Sequence, residues 1–279
     1  MEVDLHIHTS CSDGTFSIEE IFKEAHGKKM KAIAITDHDT IDGLKLGLEV
    51  SKQYNIEFIN GIEISCNLDH NEIHILGYFL NIEDTNFIKD IKYLQNERNR
   101  RNARIVEKLE KNGVIVNVEE LEKYAVGNIL GRMHMAKYLA DKKYVTNMVE
   151  AFSKYLGRGG LAYVEREKFS PQKAVELIRK NGGLSSIAHP HLITHDENYL
   201  EKLILDLKNN GLGAIECYYN GYDKSDRKYY KRLAKKYSLL ATGGSDFHGD
   251  NRVGIEIGSS GLEYGQFLEI KSNYRNYLY

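Results

Sequence analysis

Val3-Asp4-Leu5-His6-Ile7-His8 is a short, largely apolar run carrying two histidines two residues apart. In a strand, successive side chains face opposite sides, so His6 and His8 project from one face and can chelate one ion. The same design recurs along the chain. Residues 32–35 run into Thr36-Asp37-His38, residues 58–64 carry Gly61-Ile62-Glu63, and Glu72-Ile73-His74 follows. Later, residues 184–188 lead to His189-Pro190, and residues 239–242 lead to Ser245-Asp246-Phe247-His248. Hydrophobic strands that each deliver an acid or a histidine at one end are the sequence form of a β/α barrel, whose strand ends pool their side chains on one rim.

The segments between these strands fit that reading. Ser17-Ile18-Glu19-Glu20 is a capping box that opens a helix to Gly27, with Ser17 accepting from a backbone N–H three residues on while Glu20 reaches back. A strand at 31–36, a helix at 42–54 and a strand pair at 56–66 and 72–79 follow, the pair being a candidate antiparallel excursion around residues 67–71. From Thr85 the pattern changes. Phe87, Ile91, Leu94, Ile105 and Leu109 fall on one helical stripe, and helical patterns continue at 118–125, 131–141 and 146–155. The next expected strand is 161–164, after Gly159-Gly160. The α/β rhythm then resumes with helices at 171–181, 197–210 and 224–237 and strands at 184–188, 213–218 and 239–243. The expected organisation is therefore a barrel begun by residues 1–84, interrupted by an all-helical insertion at 85–160 that caps the substrate, and completed by residues 161–279.

Composition narrows the function. Lys+Arg number 38 against Asp+Glu 40, a net charge of −2, so there is no basic field for an extended nucleic-acid footprint and any nucleic-acid substrate is short. Cys11, Cys66 and Cys217 form no CxxC pair, which argues against a thiolate zinc site or a disulfide framework and for a reducing cytoplasm. No basic stretch followed by an apolar one opens the chain, and no run of apolar residues has membrane-spanning length, so a cytoplasmic protein without a membrane partner is expected. Nothing in the sequence bears on oligomeric state.

His6, His8, Asp13, His38, Glu63, His74, His189, Asp246 and His248 are the candidate ligands. A lone His-x-His is often a tolerated half-buried pair, but nine such groups at strand ends are not explained by packing. Imidazole and carboxylate without thiolate suit Mn²⁺, Zn²⁺ or Fe²⁺, with Mg²⁺ also admissible, and nine ligands imply two or three ions, some sharing a carboxylate. Such a cluster serves phosphoester hydrolysis, by acidifying a water and holding phosphoryl oxygens. Arg132 and His134 open a helix, where phosphate is well received and Arg can grip it with two parallel bonds. Within the run Asn96-Glu97-Arg98-Asn99-Arg100-Arg101-Asn102, Arg98 and Arg101 share a helix face, although such a run is ordinarily a solvated surface.

His6-x-His8, Thr36-Asp37-His38-Asp39, Gly61-Ile62-Glu63-Ile64-Ser65, Ala188-His189-Pro190 and Gly244-Ser245-Asp246-Phe247-His248-Gly249 together resemble the PHP (polymerase and histidinol phosphatase) superfamily of phosphoesterases over nearly the whole chain. Gly131-Arg132-x-His134 and Tyr218-Tyr219-Asn220 resemble the stand-alone branch that acts on nucleoside 3',5'-bisphosphates and on the 5' ends of short RNAs. Met133 stands where that branch usually has proline, and Tyr222 where it commonly has histidine. The resemblance implies a distorted (β/α)7 barrel with a small helical insertion. It implies one ion on His6, His8, Glu63 and Asp246, a second on Glu63, His74 and His189, and a third on Asp13, His38 and His248. It also adds Asn220 to Arg98, Arg101, Arg132 and His134 as substrate residues.

The expected chemistry is in-line attack on phosphorus by a metal-bound hydroxide, with His134 as the candidate proton donor to the leaving alkoxide and Arg132 beside it. The substrate is a small phosphorylated molecule: the 3'-phosphate of a nucleoside 3',5'-bisphosphate, or the 5' end of a short RNA oligonucleotide. A histidinol-phosphate phosphatase, an amidohydrolase acting on C–N bonds and a non-catalytic metal-binding module are the alternatives. Asp37 is read as orienting a ligand histidine, Cys11 as packing, and His26, His70, His191 and His195 as surface or supporting residues.

Overall fold

A computed structural model describes residues 1–68, 71–125 and 129–278. His70 lies outside them. Among the described residues the sheet has seven strands in the order β1 (Val3–Ile7), β2 (Ala32–Ile35), β3 (Glu57–Leu68), β4 (Asn71–Tyr78), β5 (Leu184–Ile187), β6 (Ala214–Tyr219) and β7 (Leu240–Gly244). Pairing is parallel from β1 to β3 and from β5 to β7, and antiparallel where β4 meets β3 and β5, so β4 alone runs against the rest. Each parallel step is made by a crossover helix: α1 (Ile18–Gly27), α2 (Leu44–Tyr54), and later α8 (Glu197–Asn209) and α9 (Lys224–Lys236). The capping box at α1 forms, with Glu20 N donating to Ser17 Oγ at 3.2 Å and Ser17 N to Glu20 Oε2 at 2.8 Å.

The sheet closes through a parallel bridge between Ile7 and Phe247, with His8 N donating to Phe247 O at 2.9 Å and Asp246 N to His6 O at 2.8 Å. The result is an α/β fold around a nearly closed barrel. Two features let β7 approach β1 so closely. Gly244 carries no Cβ; one placed there would meet His6 Cβ at 2.4 Å. Asp4, fully buried, accepts from His6 N (3.2 Å), Ser245 N (2.9 Å) and Gly258 N (2.8 Å), tying the first strand to the segments that follow the last. Burial pushes the Asp4 carboxyl up to about 6 despite these three donors.

Between β4 and β5 lie α3 (Thr85–Lys111), α4 (Val118–Glu122), α5 (Arg132–Asp141) and α6 (Met148–Ala151), the last running into a π-helical turn, Phe152–Leu156. α3 serves two cores. Phe87, Ile91 and Leu94 pack into the barrel's core, whereas Ile105 and Leu109 join Leu121, Met135, Leu139 and Leu156 in a separate one. The strand expected at 161–164 does not form. Leu161 N bonds Lys154 O and Ala162 N bonds Tyr155 O, so that backbone is spent on the end of the π turn, while Ala162 and Val164 are buried in the second core. Their alternation with exposed Leu161 imitates a strand, but no sheet edge lies alongside. The sheet resumes at β5, after α7 (Pro171–Lys180). Among the described residues no helix is long and apolar enough to cross a membrane.

Asp4→Ala leaves three backbone N–H groups, two of them buried, without an acceptor at the closure. Unfolding free energy should fall by about 3 kcal/mol, within the range for orphaned buried donors. Thermal or urea denaturation checks this, and a change below about 0.5 kcal/mol would mean that closure does not depend on Asp4.

Candidate metal centre

Glu63 stands at the point where β3 leaves β2. The β2–β3 register ends at Ile35 and Asn60, and β3 then continues with β4 as a hairpin above the rim, so Glu63 lies inside a strand, not at its end. His38 pairs with it across an isolated bridge, Glu63 N donating to Asp37 O and Asp39 N to Glu63 O. His74 pairs with Ser65 near the start of β4; because β4 is reversed, its beginning is at the rim where the other strands end. Asp39, His189 and Asp246 have positive φ (55°, 27° and 56°), so the backbone is strained at three rim positions that follow strands. Glu216 O ε2 accepts the His189 N–H at 2.6 Å and helps to hold that turn.

These turns bring eight side chains around Glu63, whose carboxylate is 1% exposed. Five imidazoles face it: His38, His74 and His189 at 3.0 Å, His8 at 3.2 Å and His6 at 3.5 Å. Asp246 Oδ1 faces His6 Nε2 at 3.4 Å and His8 Nε2 at 3.3 Å. Asp13 faces His248 at 3.3 Å, His8 at 3.8 Å and His38 at 3.9 Å. All nine residues expected from the sequence are thus in one place. They form four overlapping groups, His6/His8/Asp246, His6/Glu63/His189, His38/Glu63/His74 and His8/Asp13/His38/His248, each with donor atoms within 4.8 Å of one another.

The fit to metal rests on the atoms themselves. His6 Nε2, both ring nitrogens of His8 and His38 Nδ1 are buried and have no hydrogen-bond partner, although carboxylate oxygens stand opposite. Their separations match the edges of a coordination polyhedron, roughly 3.0–3.4 Å for metal–ligand bonds of about 2.1 Å. Burial opposes charge on every member. The carboxylates outweigh it at His6, held well above its ordinary value by Asp246, Glu216 and Glu63, and at His8, raised to about 10. At His38 burial wins and the value falls to about 3. Burial is likewise outweighed at Glu63 and Asp246, whose neighbouring histidines keep both well below the ordinary range, so the carboxylates are ionised and answered by imidazoles whose protons divalent ions would replace.

Residues that support the box were not all legible. Glu216, fully buried, faces His6 Nδ1 at 3.0 Å and so fixes that ring as well as the His189 turn. Its signal was an acid, flanked by Ile215 and Cys217, inside an apolar strand. Tyr219 donates to Asp246 Oδ2 at 3.0 Å, and Arg252 pairs with the same oxygen. Asp37 holds no histidine; it accepts from Thr9 N (2.8 Å), Thr9 Oγ1 (2.6 Å) and Ser12 Oγ, and thereby shapes the loop that carries Asp13. Cys11 packs there, its thiol pushed up to about 11 by burial and the Asp37 charge. His191 lies against Tyr219 and Tyr222, and Tyr219 in turn packs on His189 and bonds Asp246.

Above the ligands is a cavity of about 220 Å³ lined by Asp13, His38 and His74 together with Arg98, Arg101, Arg132, Arg166 and Lys168. Arg98 and Arg101 are buried, unlike the solvated face a charge run suggests, whereas Arg100 points out and pairs with Glu97. Asp39 gathers two of the cations, accepting from Arg98 and from Arg166 Nη2 at 2.9 Å. His134 is buried beside this cavity and is not among its lining residues. Its Nδ1 accepts from Gly131 N at 3.0 Å, which leaves the proton on Nε2, and burial lowers its pKa. Asn220 gives its amide to Ser245 O (3.2 Å) and Ser259 Oγ (2.9 Å) and does not line the cavity. Phe152 and Met133 do.

Residues 4–260 match the PHP domain family model. The chain is 37% identical over 248 residues to a 5'-3' exoribonuclease of Haemophilus influenzae, covering 88% of this chain and 89% of the relative. It is 29% identical over 257 residues to a 3',5'-nucleoside bisphosphate phosphatase of Chromobacterium violaceum, covering 92% and 90%. Among solved structures it superposes on a Chromobacterium violaceum protein described as an amidohydrolase with bound sulfate and no metal, with a TM-score of 0.87, 27% identity and coverage of 98% and 96%.

Two outcomes test the centre. Elemental analysis of protein prepared without chelator should find two or three divalent ions per chain; one or none in loaded protein sinks a multinuclear site. Glu216→Ala should weaken metal retention by about 10- to 100-fold, as loss of a ligand's supporting carboxylate does, in a chelator competition assay. Unchanged retention would confine Glu216 to packing.

Proposed function

Since the chain belongs to the PHP domain family and is a metal-dependent phosphoesterase, we propose that its substrate is a nucleoside 3',5'-bisphosphate or the 5' end of a short RNA, hydrolysed at the phosphate on the 3' oxygen. One observation carries this reading: a single cavity exposes three of the candidate ligands, Asp13, His38 and His74, together with a cluster of five cations. A phosphomonoester with one phosphate would need only the first.

In this reading His6, His8, Glu63 and Asp246, then Glu63, His74 and His189, then Asp13, His38 and His248, hold up to three ions, with manganese, zinc or iron the candidates. When bound, divalent ions acidify a coordinated water and offset the charge of the phosphoryl group. The chain's own residues do the rest. Arg132, at the first turn of α5, and Arg98 and Arg101 hold the phosphate that is not cleaved, and so set the reacting one against the ligand rim. His134, which sits beside the cavity and not in its lining, is the candidate donor of Nε2–H to the leaving 3' oxygen; with its pKa lowered, it acts by a hydrogen bond more than as an imidazolium acid. Residues 85–160 act as the cap that brings these groups over the barrel, and the enzyme works in the cytoplasm.

Arg132→Ala should leave metal content intact and lower kcat/KM for a 3',5'-bisphosphate by about 10² or more, the scale of one lost charge-assisted bidentate contact. A small chromogenic phosphomonoester should lose little. Steady-state kinetics of both substrates on both proteins decides: an equal loss on the two would place Arg132 at the reacting phosphate.

A further inference from the structure

A second cavity, of about 240 Å³, adjoins the first and shares Arg101, Arg132, Arg166, Lys168 and Glu72 with it. Beyond these it is closed by the end of the cap and the segment that follows it, including Arg158, Tyr163 and Glu165. Its charges do not balance. Glu72 is already shared by Lys168 at 2.5 Å, Arg132 at 3.5 Å and His74 at 3.3 Å, and among the described residues Arg166 pairs only with Asp39, which Arg98 also uses. Arg158 faces Glu165 at 4.0 Å.

Arg101 is the sharpest case. It is 6% exposed, its Nε has no hydrogen-bond partner, and among the described residues no carboxylate lies within ion-pair distance of it. Burial, with Arg98, Arg132 and Arg166 close by, drives its pKa well below the ordinary value. Arg166, also 6% exposed, has an unpartnered Nη1. Two buried guanidinium groups with idle donors, both lining the same cavity, are costly unless an anion answers them. The retained phosphate of a bisphosphate, held by Arg98, Arg101 and Arg132 in the first cavity, does not fill the second, which Arg101 and Arg166 also line.

We propose that this second cavity is an anion subsite for a phosphoryl group joined by an anhydride bond to the retained 5'-phosphate, so that nucleoside 3'-phosphates bearing a 5'-diphosphate are substrates alongside 3',5'-bisphosphates. The inference rests on Arg132 holding the retained phosphate. The bond broken is unchanged: water is consumed, the phosphorus–O3' bond is cleaved, and inorganic phosphate and a nucleoside 5'-diphosphate leave. The anhydride itself is untouched, because no group of the ligand set lines the second cavity.

Calorimetric titration of the metal-loaded protein with adenosine 5'-monophosphate and adenosine 5'-diphosphate tests it, alongside kcat/KM for adenosine 3',5'-bisphosphate and adenosine 3'-phosphate 5'-diphosphate. The diphosphate should bind at least tenfold more tightly than the monophosphate. Arg158→Ala, at the outer edge of the subsite, and Lys168→Met, at its junction with the first cavity, should each shrink that ratio at least threefold. Equal affinities overturn the proposal. So does a tenfold ratio that both variants preserve, since the extra phosphate would then lie on the metals. If neither 3'-phosphate is hydrolysed, the substrate reading fails, while the two affinities still report on the subsite by themselves.

Discussion

A carboxylate taken out of water has to be answered on every side, and Glu63 is the carboxylate on which this molecule is built. At 1% exposure it is stable as an anion only because five imidazoles converge on its two oxygens. The convergence dictates the barrel's irregularity. A regular parallel barrel would present His74 at the wrong end of its strand. Reversing β4 puts the strand's beginning at the rim, and letting β3 overrun β2 carries Glu63 up to meet it. The distortion is thus a condition of the site and not a defect of the fold.

The same logic extends one layer outward. Asp4 ties β1 to the segments after β7, so His6 and His8 are held against Asp246 and His248. Glu216 holds the His189 turn and the His6 ring, and Asp37 holds the loop bearing Asp13. Each of these acids is buried, and each is paid for by donors that also fix a ligand.

α3 joins the rim to the second core because it belongs to both cores, with Arg98 and Arg101 at the crossing point. Asp39, next to His38, receives both Arg98 and Arg166. A single buried carboxylate therefore links the ligand rim to cations from α3 and from the segment after the cap. The excess of positive charge in this region suits phosphate, and the carboxylates and imidazoles below it suit metal. A phosphate ester bridging the two would satisfy both.

The gathering of these acids and histidines was legible in the sequence because strand alternation and strand ends are local properties: a histidine in or just after a short apolar run points where its own backbone sends it. His6, His8, His38, His189, Asp246 and His248 needed no partner to be identified, and α1 announced itself through Ser17 and Glu20 for the same reason. What the chain's local pattern could not carry was anything settled by a distant neighbour. Leu161 to Val164 alternates like a strand and fails to be one because no sheet edge lies beside it. Asp37 stands next to a ligand in sequence, yet it bonds the loop across from it. Arg98 and Arg101 look solvated until the second core closes over them, and Arg166 and Lys168 lie in a stretch with no period at all. Burial, pairing and charge balance depend on which segments meet, so the sequence determined the metal-binding chemistry and the barrel, and only the tertiary structure decided which cations face the cluster of acids and histidines and which acids hold its members in place.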